Sequence, residues 1–484
     1  MAIERIWDIQ GFSGGESDDA FRWPKDSFYS GENINIRKNL SGFWLSSKLN
    51  DTGWTIDGDI SYMENLEKFG LSWIVVCTTA GKVYLDGTLK QTISTGTTNW
   101  NIIHAMGTVV VSWVQYIYYV TRTASWVWKI HRSTTDLATF SISHATITTT
   151  TLAAFSGWAY TIQTSAGTLF IAINNMIVSL DTAEAVTVLL TLPRNETIVW
   201  FTEFQNNYKI YSNLGSSGIQ YIWDGWDATD YRQVWLNSII TWVVNNGAYD
   251  YAIIGSESYS DLYLISGTQK QELRVNLEAS TSSRTFTWYM SVREDIVYIS
   301  GWLSGESSNY GIYSYGNYYP GTAKSLVQEY SLSTNKFLWH VHSSNRWYFA
   351  NTDDKVYYVD YGNPPGSYAT TGYIVTQMYE WNILEEKAIN KIKIGYNIND
   401  DTIAIYLRTE LGASWTLVKT LTNSNYWTKH TATIGGNEIM ALWIWNFGTL
   451  QMKIEITAVW TPVAGQQTCV KRVVVYMDAV NPNQ

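Results

Sequence analysis

The sequence predicts an all-β chain, a β-propeller of about seven blades followed by an antiparallel β-sandwich. Three observations carry this reading. Helix signals are nearly absent from the 484 residues. A short aromatic strand motif recurs at the period of a propeller blade. A proline break then separates the repeats from a region of cleaner two-residue alternation.

The first observation rests on runs of Val, Ile, Tyr, Thr and Trp punctuated by Gly, Asn, Asp and Ser, the pattern of strands joined by hairpins. The one stretch that reads as locally helical is Ile383 to Ile389, with Glu385, Glu386 and Lys387. The repeat is an apolar-aromatic strand ending in a small or acidic turn. It appears at Lys82–Gly87, Trp126–Ile130, Ile177–Asp181, Ile219–Gly225, Leu262–Gly267, Gly311–Gly316 and Val356–Asp360. The copies end near 86, 130, 181, 224, 266, 315 and 360, a spacing of roughly 40–50 residues that suits four-stranded blades. A four-stranded blade cannot bury both faces alone, so neighbours must stack in a ring.

The break is Asn363-Pro364-Pro365-Gly366-Ser367, which holds two of the seven prolines; consecutive prolines cannot continue a ladder. Beyond it, Ile392-Lys393-Ile394 and Met452-Lys453-Ile454-Glu455-Ile456 alternate as one wet and one buried face do. The expected division is an extended N-terminal arm over 1–60, the propeller over 61–365 and the sandwich over 366–484. The arm either completes the propeller or reaches a neighbouring subunit.

Composition narrows the function. Charged residues make up 15% and aromatics 15% of the chain. A surface so poor in charge suits an extracellular protein or a subunit that buries much of itself against neighbours. The net charge of −10 opposes a nucleic-acid grip, which needs basic stripes, yet suits a passage through which DNA slides without sticking. Cys77 and Cys469 each adjoin an apolar run and read as small buried hydrophobes, with no His at ligand spacing beside either. This points to assembly in a reducing compartment. Met1 to Gly15 lacks the apolar core of a secretory signal, and no apolar run approaches membrane-spanning length.

No constellation of catalytic residues stands out. His340 and His342 are two apart on a strand and share a face, so they could bind a metal, but no third ligand is evident. Asp353-Asp354 and Asn399-Asp400-Asp401 lack the distal Glu of a calcium loop and read as turns. Asp51-Thr52-Gly53-Trp54-Thr55 is faintly similar to the Asp-box of sialidase propellers, with Ile56 where that box has Trp. There is no phosphate loop, no GxSxG and no Cys/His nucleophile pair. The expectation is no catalytic, cofactor-binding or metal residues, no cofactor, and no enzyme.

Tryptophan occurs 25 times, and some copies stand where a turn suits a small residue. Examples are Trp226 after Asp224-Gly225, Trp302 in Ser300-Gly301-Trp302-Leu303, Trp381 after Glu380, and Trp460 before Thr461-Pro462. Glycine serves a positive-φ turn far better, so either these indoles belong to an aromatic-rich surface or some of the positions are UGA codons that the host translates as glycine.

The two ends of the chain carry a resemblance. Gly11-Phe12-Ser13-Gly14-Gly15, then Ser30-Gly31-Glu32-Asn33-Ile34-Asn35-Ile36-Arg37 and Leu40-Ser41-Gly42-Phe43, resemble the start of phage tail structural proteins. Gly372 to Tyr379 and Ile389 to Ile394 resemble their entry into a C-terminal sandwich. The architecture is similar to the tail hub or nozzle proteins of short-tailed phages, of the packaged-DNA-stabilization type. That resemblance implies a homo-oligomeric ring in the virion tail, assembled in the host cytoplasm. The ring would sit below portal and adaptor and beside tail spike or fibre proteins, passing DNA without sequence-specific binding and without a membrane. A glycan-binding receptor or tail fibre is the alternative, since exposed aromatics stack on sugars; a sialidase-like glycoside hydrolase is the third.

Overall fold

The computed structural model describes residues 4–479 apart from 11–14, 17–26, 37–42, 94–102, 149–158, 279–288, 302–309, 317–324, 362–368, 381–386, 423–430, 459–467 and a few shorter gaps. Among the described residues the chain is all-β save for a short 3₁₀ turn at Leu66–Phe69 and two helical residues near 438. No described helix is long and apolar enough to cross a membrane.

Seven four-stranded antiparallel sheets follow one another from Ile60 to Asp360. Their first strands are Ile60–Asn65, Ile103–Val111, Ala159–Gln163, Glu196–Phe204, Ile239–Asn245, Tyr289–Arg293 and Phe337–His342. Each first strand touches the first strand of the next sheet, and the seventh touches the first. The sheets therefore circle a common axis with their first strands innermost, which makes this part of the chain a β-propeller. The recurring sequence motif falls on the third strand of every sheet: Lys82–Leu85, Val127–Thr134, Met176–Leu180, Ser217–Trp223, Tyr259–Ser266, Tyr310–Gly316 and Val356–Asp360. A third strand, like a second, is flanked on both sides by strands of its own sheet and on both faces by neighbouring sheets, so its apolar run is easy to read.

The fourth strand of the seventh sheet comes from far upstream. Asn50–Asp51 pairs antiparallel with Tyr357 and Tyr358, and Thr52 donates from both its backbone N–H (3.0 Å) and its hydroxyl (2.7 Å) to the Val356 carbonyl. The ring is thus closed by residues that precede its first sheet.

One apolar core joins sheets five, six, seven, one and two, and four seams have a further filling of their own. Tyr118, Trp128 and Ile130 meet Leu169, Ile171 and Val178 between sheets two and three. Phe170 and Ile177 meet Phe201, Tyr221 and Trp223 between three and four. Tyr211 and Trp235 meet Ile240, Ala252 and Ile254 between four and five, and Ile312 and Tyr330 meet Trp347, Phe349 and Val359 between six and seven. Burial of such side chains stabilises by roughly 1.5–3 kcal/mol each, so the seams carry much of the folding energy.

Beyond the ring, two six-stranded sheets share one core. One is centred on Lys387–Asn397 and Cys469–Ala479, the other on Thr402–Arg408 and Thr449–Thr457. Strands from the N-terminal region enter both: Glu4–Gln10 and Phe43–Leu45 pair with Cys469–Ala479, and Ser30–Glu32 pairs with Thr371–Val375. The first 60 residues are therefore woven into both the ring and this two-sheet module. The helical reading of Ile383 to Ile389 fails where it can be seen, since Lys387–Asn397 is a strand paired along its length with Cys469–Ala479. Residues 383–386 lie outside the described residues. Burying Ile389, Ile392 and Ile394 against a partner strand outweighs the local helix preference of Glu and Lys.

Seams this close leave no room for added atoms. A Cβ on Gly218 would stand 2.7 Å from the Ser238 carbonyl oxygen, a backbone atom that cannot step aside. Gly218→Val is expected to lower the unfolding free energy by about 1–3 kcal/mol, measured by urea or guanidinium titration.

Candidate functional site

The inner strands share a device that aims their side chains. Their pairing slips by one residue between Ile60 and Tyr62, Ile103 and Ala105, Ile198 and Trp200, Ile240 and Trp242, and Phe337 and Trp339. An inserted residue bends a strand and re-aims the side chains beyond it. In four of these five strands the residue after the slip is Tyr or Trp. Those four rings meet Tyr289 of the sixth sheet in a chain around the centre: Trp200–Trp242 at 5.8 Å, Trp242–Tyr289 at 5.1 Å, Tyr289–Trp339 at 4.6 Å and Trp339–Tyr62 at 5.4 Å. Trp242 also reaches Trp339 past the intervening sheet, at 6.0 Å. These rings are tilted or edge-on, the geometry aromatic quadrupoles prefer, and at their level the propeller axis is packed with side chains.

His340 and His342 share a face of the seventh inner strand, as their spacing predicts. The Ser291 hydroxyl lies 2.8 Å from His340 Nδ1 and 2.9 Å from His342 Nε2. The Tyr361 hydroxyl meets His342 Nδ1, and His340 Nε2 lies 3.4 Å from the Tyr289 carbonyl. One assignment of protons satisfies every group. Tyr361 donates to His342 Nδ1, His342 Nε2–H donates to Ser291, Ser291 donates to His340 Nδ1, and His340 Nε2–H donates to the carbonyl. Both imidazoles are then neutral. Burial pushes the His340 pKa down to about 3. His342 is also held well below the ordinary value, by burial first and then by His340 and Arg293. All four ring nitrogens are engaged within the protein, and among the described residues no group of three His, Cys, Asp or Glu could hold a metal. The pair is a structural strut between the sixth and seventh sheets.

The other sequence candidates also prove to be scaffolding. Asp51 accepts from the Gly53 N–H at 2.8 Å, Thr52 anchors the ring closure, and Trp54 stacks on Tyr348 at 5.6 Å. The segment similar to an Asp-box therefore closes the propeller. Asp353 accepts from the Lys355 N–H at 3.3 Å, and Asp354 adopts a left-handed φ of 60°, the geometry of a tight turn. Burial, then the Asp59 and Asp353 carboxylates, raise the Asp354 pKa. Asn399 and Asp400 lie outside the described residues, and Asp401 is buried. Cys77 and Cys469 are buried and form no disulfide.

One polar cluster gave no signal in the sequence. Lys209 and Asp250 are fully buried and joined at 2.7 Å across the seam between the fourth and fifth sheets. The Tyr211 hydroxyl donates to the same carboxylate oxygen at 2.6 Å, and Asn245 Nδ2 donates to the other at 2.5 Å. Lys209 and Tyr211 share a strand face, so alternation aims both at the seam, but nothing local reveals that Asp250 faces them.

No known family model and no curated protein sequence matches the chain. Solved structures of similar fold include a streptogramin B lyase, 11% identical, covering 65% of this chain and 98% of that one at a TM-score of 0.44. A putative 6-phosphogluconolactonase from Bacteroides uniformis is 10% identical over 63% of this chain and 87% of its own, at 0.39. The β-propeller domain of the trilobed protease from Pyrococcus furiosus is 8% identical over 57% and 92%, at 0.36. The expectation that the chain is no enzyme is corrected here. A lyase and a putative lactonase stand among the solved structures of similar fold, and fold alone is no ground for excluding catalysis.

Two measurements test these networks. Lys209→Met leaves a buried carboxylate unpaired and is expected to cost about 3–5 kcal/mol of stability, part of which Asp250→Asn in the same chain restores. The buried imidazoles make stability pH-dependent. The unfolded chain takes a proton on His340 near pH 6.5, whereas the folded chain resists until about 3; for His131 the folded value is about 4. Acidification from pH 6.5 therefore favours the unfolded chain, by ~1.4 kcal/mol per pH unit for each such histidine. The melting temperature is expected to hold above pH 7 and to fall between pH 6.5 and 4, less steeply in His131→Gln.

Proposed function

We propose that the chain is a structural subunit of a phage tail, a hub or nozzle that joins copies of itself into a ring extending the portal channel. The observation that supports this is where the resembling segments lie. Ser30–Glu32 pairs with Thr371–Val375 in one six-stranded sheet. Ile34–Asn35, Phe43–Leu45, Cys469–Ala479 and Lys387–Asn397 run side by side in the other. Segments more than 300 residues apart that share one resemblance, to tail proteins, thus form one module, the arrangement expected if the two ends are one functional unit. Gly11 to Gly14 lie outside the described residues.

The ring of copies, not the propeller axis, would form the passage for DNA in this reading, because aromatic rings fill the axis. A net charge of −10 would keep phosphates from sticking to such a passage. Portal, adaptor and spike or fibre proteins are the partners the role requires, and the virion tail is its place.

The purified protein is expected to form closed rings of one size in negative-stain images, with a matching mass by light scattering. Monomers at concentrations where phage tail proteins assemble, or a glycan-array signal from the monomer, would overturn this reading in favour of a receptor-binding protein.

A further inference from the structure

Among the described tryptophans, two extremes of burial stand out. Trp128 and Trp223 are fully buried, and Trp347 nearly so, each in the filling of a seam. Trp113 and Trp226 are 98% and 85% exposed. Both stand in tight turns at the same end of the propeller, since a turn between first and second strands and one between third and fourth emerge on one side.

Trp113 is the sharper case. Val111 pairs with Val114, so Ser112 and Trp113 are a two-residue hairpin loop, with φ of 48° and 71°. Two positive angles in succession define the primed turn that suits the twist of paired strands, and its second place strongly favours glycine. The same geometry recurs where Leu85 pairs with Thr88: Asp86 has φ 44° and Gly87 has φ 77°, and glycine holds the second place. At Glu294 and Asp295, with φ of 52° and 64°, that place goes to aspartate, whose short polar chain tolerates left-handed backbone. A Trp side chain has neither advantage. At 113 it meets the steric penalty of a Cβ in left-handed backbone, and its ring lies in water with nothing to offset the cost. Trp226 follows Gly225, φ 98°, and its N–H closes a turn on Asp224 Oδ1 at 2.9 Å; its indole also faces solvent, but its own φ is not positive, so the backbone at 226 does not call for glycine.

We propose that position 113 is encoded by UGA and carries glycine in the protein made by its native host, whose translation reads that codon as sense. UGA differs by a single base from the Trp codon UGG and from the Gly codon GGA, so one codon yields either residue according to the code applied. The buried indoles at 128, 223 and 347 fill volumes that glycine would leave empty, and they are genuine. Trp302, Trp381 and Trp460 lie outside the described residues. The inference is independent of the tail role and bears on which hosts can make the protein: those with a glycine tRNA that decodes UGA.

Peptide mass spectrometry of the protein recovered from its natural source decides the matter. The peptide spanning 113 is expected to carry a hydrogen in place of the indolylmethyl group and to be lighter accordingly, whereas the peptide spanning 128 carries its full tryptophan mass. Tryptophan at 113 would overturn the proposal. In recombinant protein made under the standard code, Trp113→Gly is expected to raise the melting temperature by roughly 1–3 °C. A fall there would show that the turn does not require glycine and would count against the proposal on structural grounds.

Discussion

The structure depends on closing a circle. A twisted four-stranded sheet has two apolar faces and no partner within itself, so each sheet is stable only between two others. A stack of such sheets ends in an exposed face at each side unless the last meets the first. Here contact between the strands Phe337–His342 and Ile60–Asn65 removes both exposed faces at once. The closure is held by Asn50–Asp51 along the outer edge of the last sheet. Nearer the axis, Asn65 Nδ2 donates to the His342 carbonyl at 2.6 Å, and the Ser344 N–H donates to Glu67 at 2.7 Å. The seams then differ in chemistry. That between two and three adds the Arg132–Glu184 ion pair at 2.8 Å, that between four and five the buried Lys209–Asp250 pair, and that between six and seven a chain of neutral hydrogen bonds. Satisfied buried polar groups add little net stability and fix which surfaces face each other.

Much of this was legible from the amino-acid pattern, for a physical reason. Third strands are enclosed on every side, so their apolar runs stand out, and their recurrence gave the period of the ring. The proline pair marked the end of the repeats. First strands were harder to read. Their slips in pairing interrupt the two-residue alternation, so the face that Trp200 takes in Ile198-Val199-Trp200, and Trp242 in Ile240-Thr241-Trp242, is not set until the partner strand shows where the extra residue lies. The chain of aromatic rings around the axis was hidden for that reason.

The polar sites show the same limit. The spacing of His340 and His342 correctly placed them on one face, but the groups that engage their nitrogens, Ser291 and Tyr361, come from other parts of the chain. Lys209 and Asp250 are neither near each other in sequence nor set in any motif, and their pairing is a property of the seam. The Asp51-Thr52-Gly53-Trp54 segment has the turn chemistry its residues imply, with the Asp carboxylate accepting from the Gly N–H; its role in closing the ring comes from Val356 and Tyr348, about three hundred residues away.

The closing strand also orders events during synthesis. Asn50–Asp51 leaves the ribosome early, while its partner strand Val356–Asp360 emerges after some three hundred further residues, roughly 15–60 s later at about 5–20 residues per second. Phe43–Leu45 waits longer still, for Cys469–Ala479. Throughout that interval the nascent chain carries unsatisfied strand edges at its leading end. Consecutive sheets can stack as they emerge, but the circle cannot close until Val356–Asp360 has emerged, nor the two-sheet module until Cys469–Ala479 has.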